Sequence, residues 1–181
     1  MKMSQKRACL SVCLLVSLVC IRLAWADAAS DAYEEGARLL REGQHNNAIP
    51  AFDKALRLNP RYAEAYNARG VTYNELAQYE RAIKDYDAAL GLNPKYAEAY
   101  FNRANAYNDL GQADRALKDY DEALRLDQNY IGAYYNRALA HMMLRHGEAA
   151  ADARAYLKLK GWKEENVRDQ YMVLFAHFSD R

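Results

Sequence analysis

The stretch AEAYNARGVTYNELAQYERAIKDYDAALGLNP, beginning at Ala63, returns 34 residues later as AEAYFNRANAYNDLGQADRALKDYDEALRLD from Ala97, with fainter copies on either side. This period constrains the chain more than any composition does, because each copy is one supersecondary unit too small to bury its apolar face alone. Stacked neighbours supply the missing contacts. Registered on the pairs Asn59-Pro60 and Asn93-Pro94, four units occupy 29–62, 63–96, 97–130 and 131–161. Each reads as two helices and a turn; the first helix of unit three stops at Gly111, which suits a left-handed C-cap.

Positions within the unit have steric roles. Position 8 holds Gly36, Gly70, Ala104 and Ala138, and position 20 holds Ala48, Ala82, Ala116 and Ala150; small residues at both let two helices approach closely. Tyr66, Tyr100 and Tyr134 at position 4, Leu39, Tyr73 and Tyr107 at position 11, and Phe52, Tyr86 and Tyr120 at position 24 fill the remaining space. Core packing explains these aromatics better than a ligand cage does. Unit four diverges as an end unit should, with His141 at position 11, Arg154 at 24, Leu157 at 27 and no closing proline. Arg69, Arg103 and Arg137 share position 7, and Asp85 and Asp119 share position 23, whereas unit one has Glu35 and Ala51 there. Joint loss of both partners predicts ion pairs between the two helices of units two and three, with Asp152 the substitute partner in unit four.

With Ala55, Ala89 and Ala123 at position 27 and Pro60 and Pro94 at position 32, this pattern resembles the tetratricopeptide repeat over nearly all of 29–161. The resemblance implies an all-α, right-handed superhelix of about four helix-turn-helix units, with partners held along the concave face of the first helices. Carried over residue by residue, the peptide-binding candidates are Asn67, Val71, Asn74, Phe101, Asn102, Asn105, Asn108, Tyr135, Asn136, Leu139 and Met142. Tyr33, Leu40, Glu64, Glu98, Asp109 and Met143 extend the surface, which reads as neutral, amide-rich in the middle and apolar toward its C-terminal end. An asparagine amide accepts from a peptide N–H and donates to a peptide carbonyl, so such a face suits backbone recognition. The carboxylate clamp of chaperone-tail binders is missing: its positions hold Tyr33, Ala37, Ala68, Glu98 and Asn102 in one register, and Asn67, Val71, Asn102, Gly132 and Asn136 in the next. Only Asn102 in the second register matches.

Residues 1–26 have the layout of a secretory signal peptide: basic Lys2, Lys6 and Arg7, an apolar run from Ala8 to Ile21, and Ala24-Trp25-Ala26 as the cleavage triad. The run is shorter than the roughly 20 residues that span a bilayer, so the expectation is cleavage and export, to the periplasm or beyond, with no membrane insertion afterwards. The three cysteines, Cys9, Cys13 and Cys20, all fall in this segment. The remainder therefore has no thiol chemistry or disulfide. The signal removes four basic residues and no acid from a chain of 25 Lys+Arg and 24 Asp+Glu, leaving a net charge of −3. Alternating charges along the helices exclude a nucleic-acid face.

Enzyme chemistry finds no footing. His45, His141, His146 and His177 lack metal-ligand spacing, no phosphate-binding glycine loop occurs, and Ser30 and Ser179 lie at the extremities of the exported part. No cofactor is expected. A last helix over 162–181, with Val167, Tyr171, Leu174, Phe175 and Phe178 on one stripe, is expected to cap the stack or, through Tyr171, Met172, Phe175 and Phe178, to join two copies. The expected function is a non-enzymatic adaptor in the cell envelope that binds a peptide or protein segment; the alternative is a self-assembly module.

Overall fold

The computed structural model describes residues 27–144 and 149–161; the signal segment and the last helix lie outside the described residues. Eight helices and no strands occur among them: α1 (27–41), α2 (His45–Leu58), α3 (Ala63–Glu75), α4 (Tyr79–Leu92), α5 (Ala97–Asp109), α6 (Ala113–Leu126), α7 (Ile131–Met143) and α8 (Ala149–Leu159). Each consecutive pair is an antiparallel hairpin, and hairpins stack in chain order, so the expected all-α solenoid is the one observed.

Turn chemistry sets the units. Within the hairpins of units one to three the chain leaves the first helix through a Schellman motif: Gln44, Gln78 and Gln112 N–H donate to the carbonyls of Leu39, Tyr73 and Tyr107 at 2.8 to 2.9 Å. The left-handed residue is Gly43 or Gly111 (φ 72°) in units one and three but Ala77 (φ 55°) in unit two. Between hairpins the side chain of Asn59, Asn93 or Asp127 accepts from the backbone N–H two residues on, at 3.1, 3.1 and 2.9 Å. This Asx turn persists at Asp127-Gln128, which shows that the side-chain oxygen, and not the proline, closes the junction.

The hairpin interiors are filled by a small residue facing a ring. A Cβ on Gly70 would lie 2.6 Å from Tyr86 Cε1, and one on Gly36 2.7 Å from Phe52 Cε1. Phe52, Tyr86 and Tyr120 are at most 1% exposed, and Ala48, Ala82 and Ala116 are fully buried beside them. A run of small cores linked along the stack results.

Arginines at position 7 tie the hairpins together. Arg69 forks onto Asp85 with Nε–Oδ2 and Nη2–Oδ1 both 2.7 Å, and Arg103 grips Asp119 in the same way at 2.7 and 2.8 Å. Arg137 grips Asp152 likewise. The third guanidinium nitrogen reaches back to the preceding hairpin: Arg69 to Asp53 at 2.5 Å, Arg103 to Asp87 at 2.6 Å and Arg137 to Asp121 at 2.6 Å. Each arginine therefore joins its own second helix to the one before it. The intra-unit pairs were legible; the aspartate at position 25, repeated as Asp53, Asp87 and Asp121, was the unused signal for the other half.

Unit four corrects the expected register. Asp152, Ala153 and Leu157 are buried while Arg154 is exposed, and Arg137 meets its carboxylate 15 residues on instead of 16. Helix α8 thus runs one residue ahead. Ala153, not Arg154, takes the place of the aromatic, and Leu157 corresponds to Leu124, not to Ala123. The end-unit expectation therefore survives with different residues.

Candidate functional site

Among the described residues α3 reaches α5 and α5 reaches α7, whereas no second helix reaches the next second helix. The first helices therefore line the inner side of the curve. Val71, Asn74, Phe101, Asn102, Asn105, Asn108, Tyr135, Asn136, Leu139 and Met142 are all half-buried on these helices, and Asn67 is 3% exposed. The side chain of Met143 lies outside the described set.

Several of these side chains serve the stack itself. Asn102 Nδ2 donates to Asn67 Oδ1 at 3.1 Å, and Asn67 Nδ2 stands 3.3 Å from both the Tyr96 hydroxyl and Glu98 Oε1. One junction along, Asn136 Nδ2 donates to Asn105 Oδ1 at 2.7 Å, and that same oxygen accepts from the Tyr120 hydroxyl at 2.7 Å. Much of the amide capacity read as free thus links neighbouring first helices. Phe101 is wedged between Tyr120 and Tyr130, with ring centroids 6.0 and 4.8 Å away, and a Cβ on Gly132 would sit 3.3 Å from its Cζ. It holds α7 against α5 and α6.

Charge on this face departs from the neutral reading. Glu64 and Glu98 at position 2, and Glu75 and Asp109 at position 13, are exposed, and none has an ion-pair partner among the described residues. Arg69 and Arg103, the cations of α3 and α5, are turned away from this face and consumed by two aspartates each. No lysine lies on α1, α3, α5 or α7, and α1 carries Arg38, paired with Glu35 and Glu42, and Arg41. The face is acidic along α3 and α5.

The two acidic rows differ in surroundings. Positions 2 and 13 are separated by eleven residues, about 16 Å along a helix. At the position-2 end, burial raises the hydroxyl pKa values of Tyr33, Tyr62 and Tyr96, with the Glu64 carboxylate adding to the shift, and pushes Tyr130 up to about 12, where Glu98 contributes. At the position-13 end, partial desolvation against the wall of the groove holds the Asp109 carboxyl above the ordinary aspartate range, offset in part by a hydrogen bond from Asn74. Beside it the carbonyl oxygens Asn74 Oδ1 and Asn108 Oδ1 are buried with no donor among the described residues.

A stack of helical hairpins with an open inner face defines a helical-repeat interaction solenoid. A family model described as TPR repeat matches residues 72–111 and 104–144, and two described as tetratricopeptide repeat match 51–84 and 39–62. Together they run unbroken from 39 to 144, more than half of the chain, which belongs to the tetratricopeptide-repeat proteins. Such proteins are in general non-enzymatic interaction modules. Among solved structures the chain is similar to MamA (25% identity, TM-score 0.70, covering 74% of this chain and 78% of that one). It is also similar to the first repeat domain of Spaghetti (RPAP3) bound to the HSP90 peptide SRMEEVD (26% identity, TM-score 0.65, 66% of this chain and 95% of that one). A third is the OM64 repeat domain of Arabidopsis (26% identity, TM-score 0.62, 67% and 97%). No curated protein matches the sequence.

Proposed function

We propose that this protein is an exported, non-enzymatic scaffold of the cell envelope that holds an extended segment of a partner protein along the inner face of α3, α5 and α7. The observation that carries this reading is the open row of half-buried side chains there, Val71, Asn105, Leu139 and Met142 among them, on a framework similar to one that holds a peptide in RPAP3. Extended peptides on such faces are recognised through backbone hydrogen bonds and a few side-chain pockets. The missing chaperone clamp directs the choice of partner away from that peptide. Export rests on the layout of residues 1–26, and no helix among the described residues is long and apolar enough to cross a membrane.

Two measurements test it. Pull-down from an envelope extract with the wild-type protein should retain a partner that the Val71→Ser/Leu139→Ser double variant loses, with circular dichroism confirming that the variant still folds; equal retention by both sinks the groove reading. N-terminal sequencing of the protein recovered from the envelope fraction should begin at Asp27, and a chain starting at Met1 in the cytosolic fraction would remove the exported half.

A further inference from the structure

On α3 and α5 the position-13 rim is acidic, whereas α1 carries Arg41 at the same position. Glu75 and Asp109 close α3 and α5, Asn74 and Asn108 precede them, and the two asparagine carbonyl oxygens are buried without a donor. Asn74 also hydrogen-bonds the Asp109 carboxylate, which leaves its amide facing acid and its carbonyl bare.

Local structure gives no reason for these acids. A carboxylate in the first helical turn is favoured by the helix dipole, which accounts for Glu64 and Glu98. In the last turn the same dipole disfavours it, and neither α3 nor α5 carries a basic residue there to compensate. Two neighbouring repeats thus repeat an arrangement that is unfavourable for the isolated protein. Buried acceptors without donors add a further cost. One class of ligand relieves the exposed carboxylates: a cation that brings several N–H donors.

We infer that this rim receives the lysine or arginine side chains of an extended basic segment of another protein, an assignment that rests on the groove reading above and specifies its partner. The backbone of such a segment lies along the inner face, where Glu64 and Glu98 form a second acidic row about 16 Å away. Successive side chains of an extended strand point to opposite sides, so alternate cations meet opposite rows. The peptide in the RPAP3 complex, SRMEEVD, is acidic at its C-terminal end and would meet like charge here.

Fluorescence anisotropy on the full chain tests this with three labelled octapeptides in which pairs of alanines alternate with pairs of lysines, glutamines or glutamates, so that each pair sends one side chain to either row. The lysine peptide is expected to bind most tightly, to weaken with added salt, and to lose about fivefold in affinity on Glu75→Gln/Asp109→Asn. The control variant Glu80→Gln/Asp114→Asn, which removes two exposed acids from α4 and α6, should bind as the wild type does. Equal binding of the lysine and glutamine peptides overturns the basic partner but leaves the groove reading standing. Equal losses in both variants overturn it too, since attraction would then be general to the surface. No lysine-peptide binding at all also overturns it, and a dimer in sedimentation would then name a second copy as the occupant.

Discussion

Charge is used in opposite ways on the two sides of the first helices. Toward the second helices, Arg69, Arg103 and Arg137 are each held by two aspartates, and Asp85, Asp119 and Asp152 are buried in the process. Toward the inner face, four carboxylates on α3 and α5 have no cation within the described residues. Both sets recur at fixed repeat positions, so repetition alone does not distinguish structure from function. What distinguishes them is satisfaction. A charge that the fold completes is part of the fold, and a charge that it leaves open is available to something else.

The largest effect that would break this contrast is at Asp85. Its side chain is 9% exposed and takes a two-pronged grip from Arg69, so Asp85→Ala strands a guanidinium that is itself only 19% exposed. About 3 kcal/mol of unfolding free energy should be lost, read by urea titration. Asp53, the other partner of Arg69, is 38% exposed, and Asp53→Ala should cost below about 1 kcal/mol. The cycle of Arg69→Ala, Asp85→Ala and the double variant should show a coupling of about 1 to 3 kcal/mol. Simple additivity would mean that the paired layer is ornamental and the contrast false.

Half of that layer could be read from the sequence, and the reason lies in how the signals were distributed. Position 7 and position 23 change together between unit one and units two and three, so a pair is visible as a joint loss. Asp53, Asp87 and Asp121 never vary, and an invariant acid on an exposed helix face looks like solvated surface until the arginine is seen to reach it. The fold itself was legible because position 8 against position 24 is a steric rule that the period repeats. The inner face was less so. Asn67, Asn102, Asn105 and Asn136 were placed on the correct helices, but the sequence does not say whether a side-chain amide turns to solvent or to the next repeat. The register of α8 was hidden for a different reason, since one residue fewer between α7 and α8 leaves the helical spacing within each intact.

The smaller prediction sharpens the other side of the contrast. If Glu75 and Asp109 are open because a ligand completes them, replacing them should stabilise the unliganded protein while harming its binding. Glu75→Gln/Asp109→Asn removes two anions from last helical turns, where each opposes the dipole by about 0.3 to 1 kcal/mol, so together the gain should approach 1 kcal/mol at neutral pH. The Asp109 share has a definite pH dependence. Its carboxyl is raised in the folded protein, so the folded state holds that proton more tightly than the unfolded chain does. The wild type therefore loses stability from this group as pH rises through the folded-state value. The advantage of Asp109→Asn should appear over that rise and vanish in acid below the ordinary aspartate value of 3.8, as urea titrations across the pH range would show. A loss of stability at neutral pH would mean that the two acids already have partners within the protein. The inner face would then be as complete as the paired layer behind it.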